Sequence, residues 1–549
     1  MYTFTNFANF NVKNQTSFHI LKRTLFLLKC TIYTRQILNL NNLVRYFSKD
    51  KTMGLSLKSH VYENSSDENK IKLKKDLIKM KLKQSLSHKS KENKIPSTKF
   101  SRLINYGSLA AGLGVGALAE IARRKLGIDN TDGDSRITPE NIFLNESNAE
   151  RIVETLCKVR GAALKFGQML SIQDNTFISP QLQEIFERVR QGADFMPPSQ
   201  TQKVLESEMG PEWRKKFTSF DNKPFAAASI GQVHEALSLP NNPSLATLGI
   251  DEPTQLAVKI QYPGIAESID SDVDNLLALL EYTNILPAGL FLDYSLEVFR
   301  KELHLEVDYL REANSSEKFR LELLPNDPFF TVPAIVKELS TRKVLTSQLM
   351  KGMSLDKTLD LDQAIRNDIG RNILNLCLRE VFEFRFMQTD PNWSNFLYDP
   401  ETHRVALLDF GACRQFDKKF VDIYLRLIKA SAQADRASIL RLSEELGFLT
   451  GHETKIMQES HVEAVLILGE AFATDKEFDF SNHNVTRRIQ NLMPILLKHR
   501  LKAPPEESLS LHRKMAGAFL ICSKLGVKIH CKDLFDRIYE SYSYETNSL

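Results

Sequence analysis

At 549 residues, with ordinary hydrophobic and charged fractions, the chain has room for one large two-lobed domain plus extensions. Its net charge of +4 is unevenly held: residues 1–49 carry seven basic and no acidic side chains, residues 51–100 thirteen lysines against five acids, and the rest from 101 onward 52 basic against 62 acidic ones. An acidic body excludes a nucleic-acid-binding protein, which needs a basic face on its folded part, and six scattered cysteines without a CxxC pair imply reduced, mostly buried thiols.

The acid-free segment 1–47 has the composition of a mitochondrial transit peptide, with Arg45-Tyr46-Phe47-Ser48 as a matrix-processing site. A disordered basic tail is the plainer alternative, and the length of the acid-free stretch favours targeting. The apolar run Leu25–Leu28 is too short for a secretory signal. Residues 48–100 read as a basic flexible linker, with room for one amphipathic helix near 71–82 that could rest on anionic lipid. Residues 101–126 read as a glycine-rich membrane helix, because the run from Leu103 to Ala119 is uncharged and just reaches the lower limit for crossing a bilayer. Ser108, Gly112 and Gly116 put small residues on one face, where the helices of a homodimer could pack. A buried or membrane-surface helix is the alternative.

Ile152, Leu156, Val159, Ala163, Phe166 and Leu170 recur at intervals of four and three, which predicts a helix with one apolar stripe within a helical extension over 147–200. Gly161, Lys165 and Gln168 fall on the opposite face. Two glycines inside a helix, Gly161 and Gly167, each cost about 1 kcal/mol against alanine, so another surface is expected to approach closely. From helix geometry alone, a solvent-facing Lys165 is the plainer reading. Strand-like runs follow at 230–236, 255–261 and 343–349. After 360 the pattern is almost wholly helical, with five or six helices broken near Gly447, Gly451 and Ala503-Pro504-Pro505. The fold class expected is α+β, with one lobe over 201–350 and a largely helical lobe over 351–549.

The chemistry sits in the second half. Asp390-Pro391-Asn392-Trp393-Ser394-Asn395, then Asp409-Phe410-Gly411, is the spacing of a kinase catalytic loop and its metal-binding loop. Asp390 is the candidate catalytic carboxylate. A Mg²⁺ ion needs oxygen ligands, here Asn395 and Asp409, reached from two adjacent loops. Leu256-Ala257-Val258-Lys259 matches the strand lysine that meets the α- and β-phosphates of ATP and a helix glutamate, for which Glu312 is the candidate across an inserted segment. Ser347, Gln348, Leu349 and Met350 follow an edge strand, where backbone groups would meet adenine. In place of a glycine-rich phosphate loop stand Ala226, Ala227, Ala228 and Ser229. Their Cβ atoms alter how closely the backbone can approach phosphate.

Lys165-Phe166-Gly167-Gln168, the Ala226–Ser229 loop, Glu306-Val307-Asp308 and Asp390…Asn395…Asp409, in this order, resemble the UbiB family of atypical kinase-like proteins from about residue 100 onward. The stretches Gln388–Asn395 and Leu511–Met515 fit that family too. The resemblance implies an atypical, two-lobed protein-kinase-like fold with an N-terminal helical extension. It implies a Mg–ATP-dependent ATPase or small-molecule kinase that supports ubiquinone synthesis on the matrix face of the mitochondrial inner membrane. Lipid, prenylated precursors and other ubiquinone-synthesis proteins would be its partners. Lys165, Gly167 and Gln168, with Glu306 and Asp308, would be regulatory, Lys165 and Glu306 meeting over the nucleotide site. The stretch Leu237–Pro253 looks longer than usual and reads as a surface loop.

Two other readings stay open: a conventional protein kinase, and a nucleotide-sensing scaffold without turnover. The intact Lys259, Asp390, Asn395 and Asp409 count against the scaffold. The alanine loop and the Lys165 helix count against the protein kinase.

Overall fold

The computed structural model describes residues 90–125, 146–162, 164–165, 184–185, 188–189, 194–283, 292–483 and 485–544. The expected transit peptide, nearly all of the basic linker, and Phe166, Gly167 and Gln168 lie outside these residues.

The smaller lobe is built on an antiparallel sheet. Strands β1 (Phe217–Phe220), β2 (Ala226–Ala227), β3 (Gly231–Ser238) and β4 (Gln255–Gln261) are followed, after the short β5 (Phe330–Thr331) of the other lobe, by β6 (Val344–Gln348). The order is β1-β3-β4-β6, with β2 folded back on β3. Strand periodicity decides which side chains reach the cleft. On β4, Leu256, Val258 and Ile260 are buried in the lobe's core, which leaves Ala257 and Lys259 on the other face. The three strand-like runs of the sequence correspond to β3, β4 and β6.

The larger lobe has a second sheet in the order β5-β10-β9-β7, made by β7 (Met353–Ser354), β9 (Phe396–Asp399) and β10 (Arg404–Leu407), and a two-stranded ladder of β8 (Phe386–Gln388) with β11 (Cys413–Gln415). The apolar pair Leu407-Leu408 before Asp409 does read in the sequence as a short buried strand, and β10 ends there, but the other short strands were hidden by the surrounding helical pattern. These strands carry the chemistry, because the loops after β8 and β10 bear Asp390 and Asp409. Seven helices follow residue 360 among the described residues, against the five or six expected. They include Gln363–Phe382 and Glu506–Leu525, which pack across the back of the catalytic loop on one large apolar core.

A third layer is helical. It comprises α1 (Lys99–Lys125), α2 (Glu146–Val159), α3 (Ile265–Thr283) and α4 (Leu292–Glu306), with α5 (Tyr309–Lys318) next in the chain. Leu109 and Leu113 of α1 pack with Ile152 and Leu156 of α2, Ile269 and Val273 of α3, and Phe299 and Leu303 of α4. The helices α3 and α4 are the segment inserted between Lys259 and Glu312.

Two expectations are corrected here. No helix among the described residues is long and apolar enough to cross a membrane. The uncharged run forms α1, but Arg102 and Glu120 at its two ends are buried on the packed side with Tyr106, Leu109 and Leu113. Two of the small residues of that helix, Gly112 and Gly116, are used within the chain. A Cβ on Gly116 would fall 2.0 Å from Asn148 Oδ1, and one on Gly112 would fall 3.1 Å from Arg151 Cδ. Both partners are on α2, so Gly112 and Gly116 meet a helix of the same chain, while Ser108 stays exposed. The apolar stripe through residue 170 is also not one helix. It ends at Val159, because Arg160 and Gly161 both adopt left-handed backbone (φ 58° and 61°), and helix resumes at Ala162, with the Lys165 amide donating to the Gly161 carbonyl at 3.1 Å. Gly161 therefore makes a turn rather than weakening a helix.

Candidate active site

The two lobes enclose a cleft of about 430 Å³ lined by the Ala226–Ser229 loop, Lys259, Glu306, Glu312, the Ser347–Met350 hinge, Asp390, Asn395, Asp409 and Lys165. Apart from Asp308 and the two residues that lie outside the description, all the site candidates read from the sequence border this one space.

Lys259 reaches Glu312 on α5 at 2.8 Å and Asp409 at 3.6 Å. Glu312 is 1% exposed, so its carboxylate has no solvent alternative to the lysine. Burial pushes the Glu312 carboxyl up to about 7 against the pull of Lys259. Lys259 loses to burial less than it gains from Asp409 and Glu312, and its ammonium is held well above the usual lysine range. At Asp409 burial is outweighed by Lys259 and Lys165, which keep the carboxyl below its ordinary value. Asp308, placed among the regulatory candidates, caps α5 by accepting the Arg311 amide at 3.1 Å, and so sets where Glu312 stands. Arg311, missed in the sequence, donates to the Gly411 carbonyl at 2.8 Å and also to that of Cys413. The helix that bears Glu312 is thereby tied to the loop that bears Asp409. Phe410 is buried against Phe319 at 4.9 Å between ring centres, which holds Asp409 toward the cleft.

The metal-ligand candidates come from two loops in register. The Leu408 amide donates to the Asn395 carbonyl at 3.0 Å, and the Gly411 amide to Asp409 Oδ1 at 3.0 Å. The Asn395 side-chain amide is buried, and its Nδ2 has no hydrogen-bond partner among the described residues. Since the two ends of an amide can exchange places, Asn395 can present its oxygen beside Asp409. A hard, oxygen-seeking divalent cation fits that pair.

At the hinge, Gln348 donates its amide to Ala334 and Leu349 donates its own to Gln255, which leaves Met350 as the hinge N–H open to a base. The alanine loop is a tight hairpin closed by the Ala228 amide on the Gly231 carbonyl at 2.7 Å. Gly231 admits no side chain, since a Cβ would meet the Ile260 carbonyl oxygen at 2.5 Å.

Lys165 extends from the extension into the cleft. It lies 2.6 Å from Glu306 and 3.2 Å from Asp390 Oδ2. Burial disfavours its charge, but Asp390 and Glu306 more than restore it, so Lys165 stays protonated. The contact with Glu306 was expected from the resemblance, whereas the contact with Asp390 was not. Arg160 was also missed. Its guanidinium donates to the carbonyls of Asp194 and Ala228 and lies 4.8 Å from the Tyr262 ring, while the Gly161 amide donates to the Ser229 carbonyl at 3.0 Å. The turn that carries Lys165 therefore also holds the alanine loop. No local pattern signals this, because each partner lies tens of positions away.

With this geometry in place, the chain can be set beside known proteins. The model of the ABC1 atypical kinase-like domain matches residues 188–443. The mitochondrial atypical kinase COQ8B of Danio rerio is 54% identical over 85% of this chain and 73% of its own length. The Rattus norvegicus protein of that name is 54% identical over 83% of each chain. The mitochondrial atypical kinase COQ8 of Saccharomyces cerevisiae is 43% identical over 82% of this chain and 86% of its own.

Proposed function

The chain belongs to the ABC1, or UbiB, family of atypical kinase-like proteins, and from that premise we propose that it is a mitochondrial Mg–ATP-dependent enzyme of coenzyme Q biosynthesis. The observation that carries this reading is the cleft itself, where Lys259 is paired to Glu312 at 2.8 Å and stands 3.6 Å from Asp409. An inactive scaffold would have no need to keep this buried, costly set of charges intact.

Magnesium, when bound by Asn395 and Asp409, would neutralise charge developing on the β- and γ-phosphates. Lys259 supplies a fixed positive charge for the phosphates, held in place by Glu312. Met350 reads the base through its backbone amide. Asp390 is placed to orient the attacking oxygen and accept its proton, but its Oδ2 faces Lys165 at 3.2 Å. Lys165 competes for that oxygen, and a protein hydroxyl would have to displace it. A small acceptor, water or a prenylated precursor, is the better fit to a cleft narrowed in this way. ATPase or small-molecule kinase activity is therefore favoured over a conventional protein kinase. The inner membrane, matrix side, is the site of action in this reading, with the N-terminal segment directing import.

Turnover by purified protein separates the alternatives when ATP is supplied alone, with lipid precursors, or with generic protein substrates. Acceleration by precursors without labelled protein is the expected result, and efficient labelling of added protein would reverse the ranking. Cells lacking the protein should lose ubiquinone and accumulate an early precursor, as read by metabolite profiling.

A further inference from the structure

Behind the catalytic loop, away from the cleft, a lysine and a glutamate are buried together. Lys514, on the helix Glu506–Leu525, and Glu380, on the helix Gln363–Phe382, are 2% and 1% exposed and lie 3.2 Å apart. So complete a burial is seldom more stabilising than apolar side chains of the same volume, which directs attention to what the pair holds. It holds Gln388. Lys514 Nζ donates to Gln388 Oε1 at 2.8 Å, and the backbone N–H of Gln388 donates to Glu380 Oε1 at 3.1 Å. An ammonium can only donate, so it fixes which end of the Gln388 side chain carries oxygen. The nitrogen end then points forward and donates to the backbone carbonyl of Asp390 at 2.8 Å. The same residues share a void of about 10 Å³ with Asn395 and Asp409. Pro391, next in the chain, is pressed on the same helix where Gly517 leaves no room: a Cβ there would lie 2.1 Å from Pro391 Cβ.

We infer that Lys514, Glu380 and Gln388 form a positioning device for Asp390, resting on the Mg–ATP reading above. Glu380 fixes the Gln388 backbone, Lys514 fixes its side-chain amide, and that amide fixes the Asp390 peptide against the pull of Lys165 on its side chain. None of the three touches substrate. Their effect falls on the orientation of the catalytic carboxylate, and so on turnover rather than on nucleotide binding.

The test uses the purified full chain, with ATPase kinetics beside the thermal shift given by Mg–ADP. Gln388→Met keeps the volume and removes the amide. It should lower kcat about tenfold or more while the KM for ATP stays within about twofold and the Mg–ADP shift is retained. Gln388→Glu keeps an acceptor for Lys514 but can donate to the Asp390 carbonyl only when protonated. Its turnover, taken as a ratio to that of the wild type at the same pH, should fall as pH rises and the introduced carboxyl loses its proton. Wild-type kcat in either variant overturns the inference, as does a parallel loss of turnover and nucleotide binding, which marks a merely structural role. If Gln388→Met does not fold, Gln388→Glu alone decides. Failure of the wild type to bind Mg–ADP overturns the underlying reading instead.

Discussion

Asp409 and Glu312 show how burial and charge set the behaviour of single residues. Asp409 is held ionised by Lys259 and Lys165 despite burial. Asp409→Asn removes the charge and keeps the shape, so the rise in melting temperature that Mg–ATP gives the wild type should vanish, because ligand stabilisation scales with affinity. An undiminished shift would oppose the metal assignment. Glu312 behaves differently, since burial raises its carboxyl to about 7. Below that pH it takes up a proton, and Lys259 loses its partner and turns toward Asp409, with Glu306 the other nearby acid. Turnover should therefore fall as pH drops through about 7, and Glu312→Gln should flatten that limb while lowering activity throughout. For stability the sign is the reverse. A carboxyl raised in the folded state binds a proton more readily there than in the unfolded chain, so apo-protein stability from this group rises as pH falls through the same window. A pH–rate profile beside a pH series of melting temperatures checks both. Lys259, Asp390, Asn395 and Asp409 were legible in the sequence because motif spacing is local. Arg160, Arg311 and Lys514 were not, because each takes its meaning from a carbonyl or side chain far away in the chain.

At the scale of elements, the sequence showed periodicity well and interruptions poorly. The stripe from Ile152 to Leu170 keeps helical spacing across Arg160 and Gly161, yet both turn left-handed there. Spacing cannot reveal this, because the turn is fixed by Arg160 reaching the Asp194 and Ala228 carbonyls. The same turn receives Arg102, which is fully buried on α1. Arg102 Nε donates to Asp272 of α3 at 2.8 Å, and its Nη1 to the Pro96 carbonyl at 3.1 Å. Burial raises the Asp272 carboxyl even against the pull of Arg102, first, and of the Ser268 hydroxyl. Arg102→Met should thus strand a buried carboxylate and cost about 3–5 kcal/mol. The double change Arg102→Met with Asp272→Leu should recover most of that. Denaturant unfolding of the three proteins measures it, and equal losses in single and double variants would mean that the pair does not carry the interface. Short strands such as Phe386–Gln388 and Phe396–Asp399 escaped the sequence reading for a related reason. Their pairing partners, and not their own composition, make them strands.

For the molecule as a whole, the proposed action at the inner membrane turns on the surface that the N-terminal layer would offer to lipid. The uncharged run from Leu103 to Ala119 reads as a membrane span only while its packed side is out of sight. In the folded chain α1 has two apolar faces with different fates. Tyr106, Leu109, Leu113 and Ala117 are buried in the protein, whereas Phe100, Leu103, Ile104, Val115 and Leu118 remain more than half exposed along the opposite face. That row recurs at helical spacing, so it forms one stripe on the side away from the catalytic layer. Its large side chains cluster at the two ends, with the small Gly107, Ser108 and Ala111 exposed between them. A helix of this kind can lie in the interface of a bilayer with its outer face among the acyl chains. Leu103→Asp and Leu118→Asp each replace a side chain whose burial is worth about 2 kcal/mol. Each should weaken binding to anionic vesicles more than tenfold and leave melting temperature and nucleotide binding unchanged, because neither residue belongs to the packed side. Flotation of purified protein with liposomes reads the loss. Alkaline carbonate should release the wild type from mitochondria, as expected of a helix that lies on the membrane. Retention in the carbonate pellet, or vesicle binding indifferent to both substitutions, would require an anchor elsewhere in the chain.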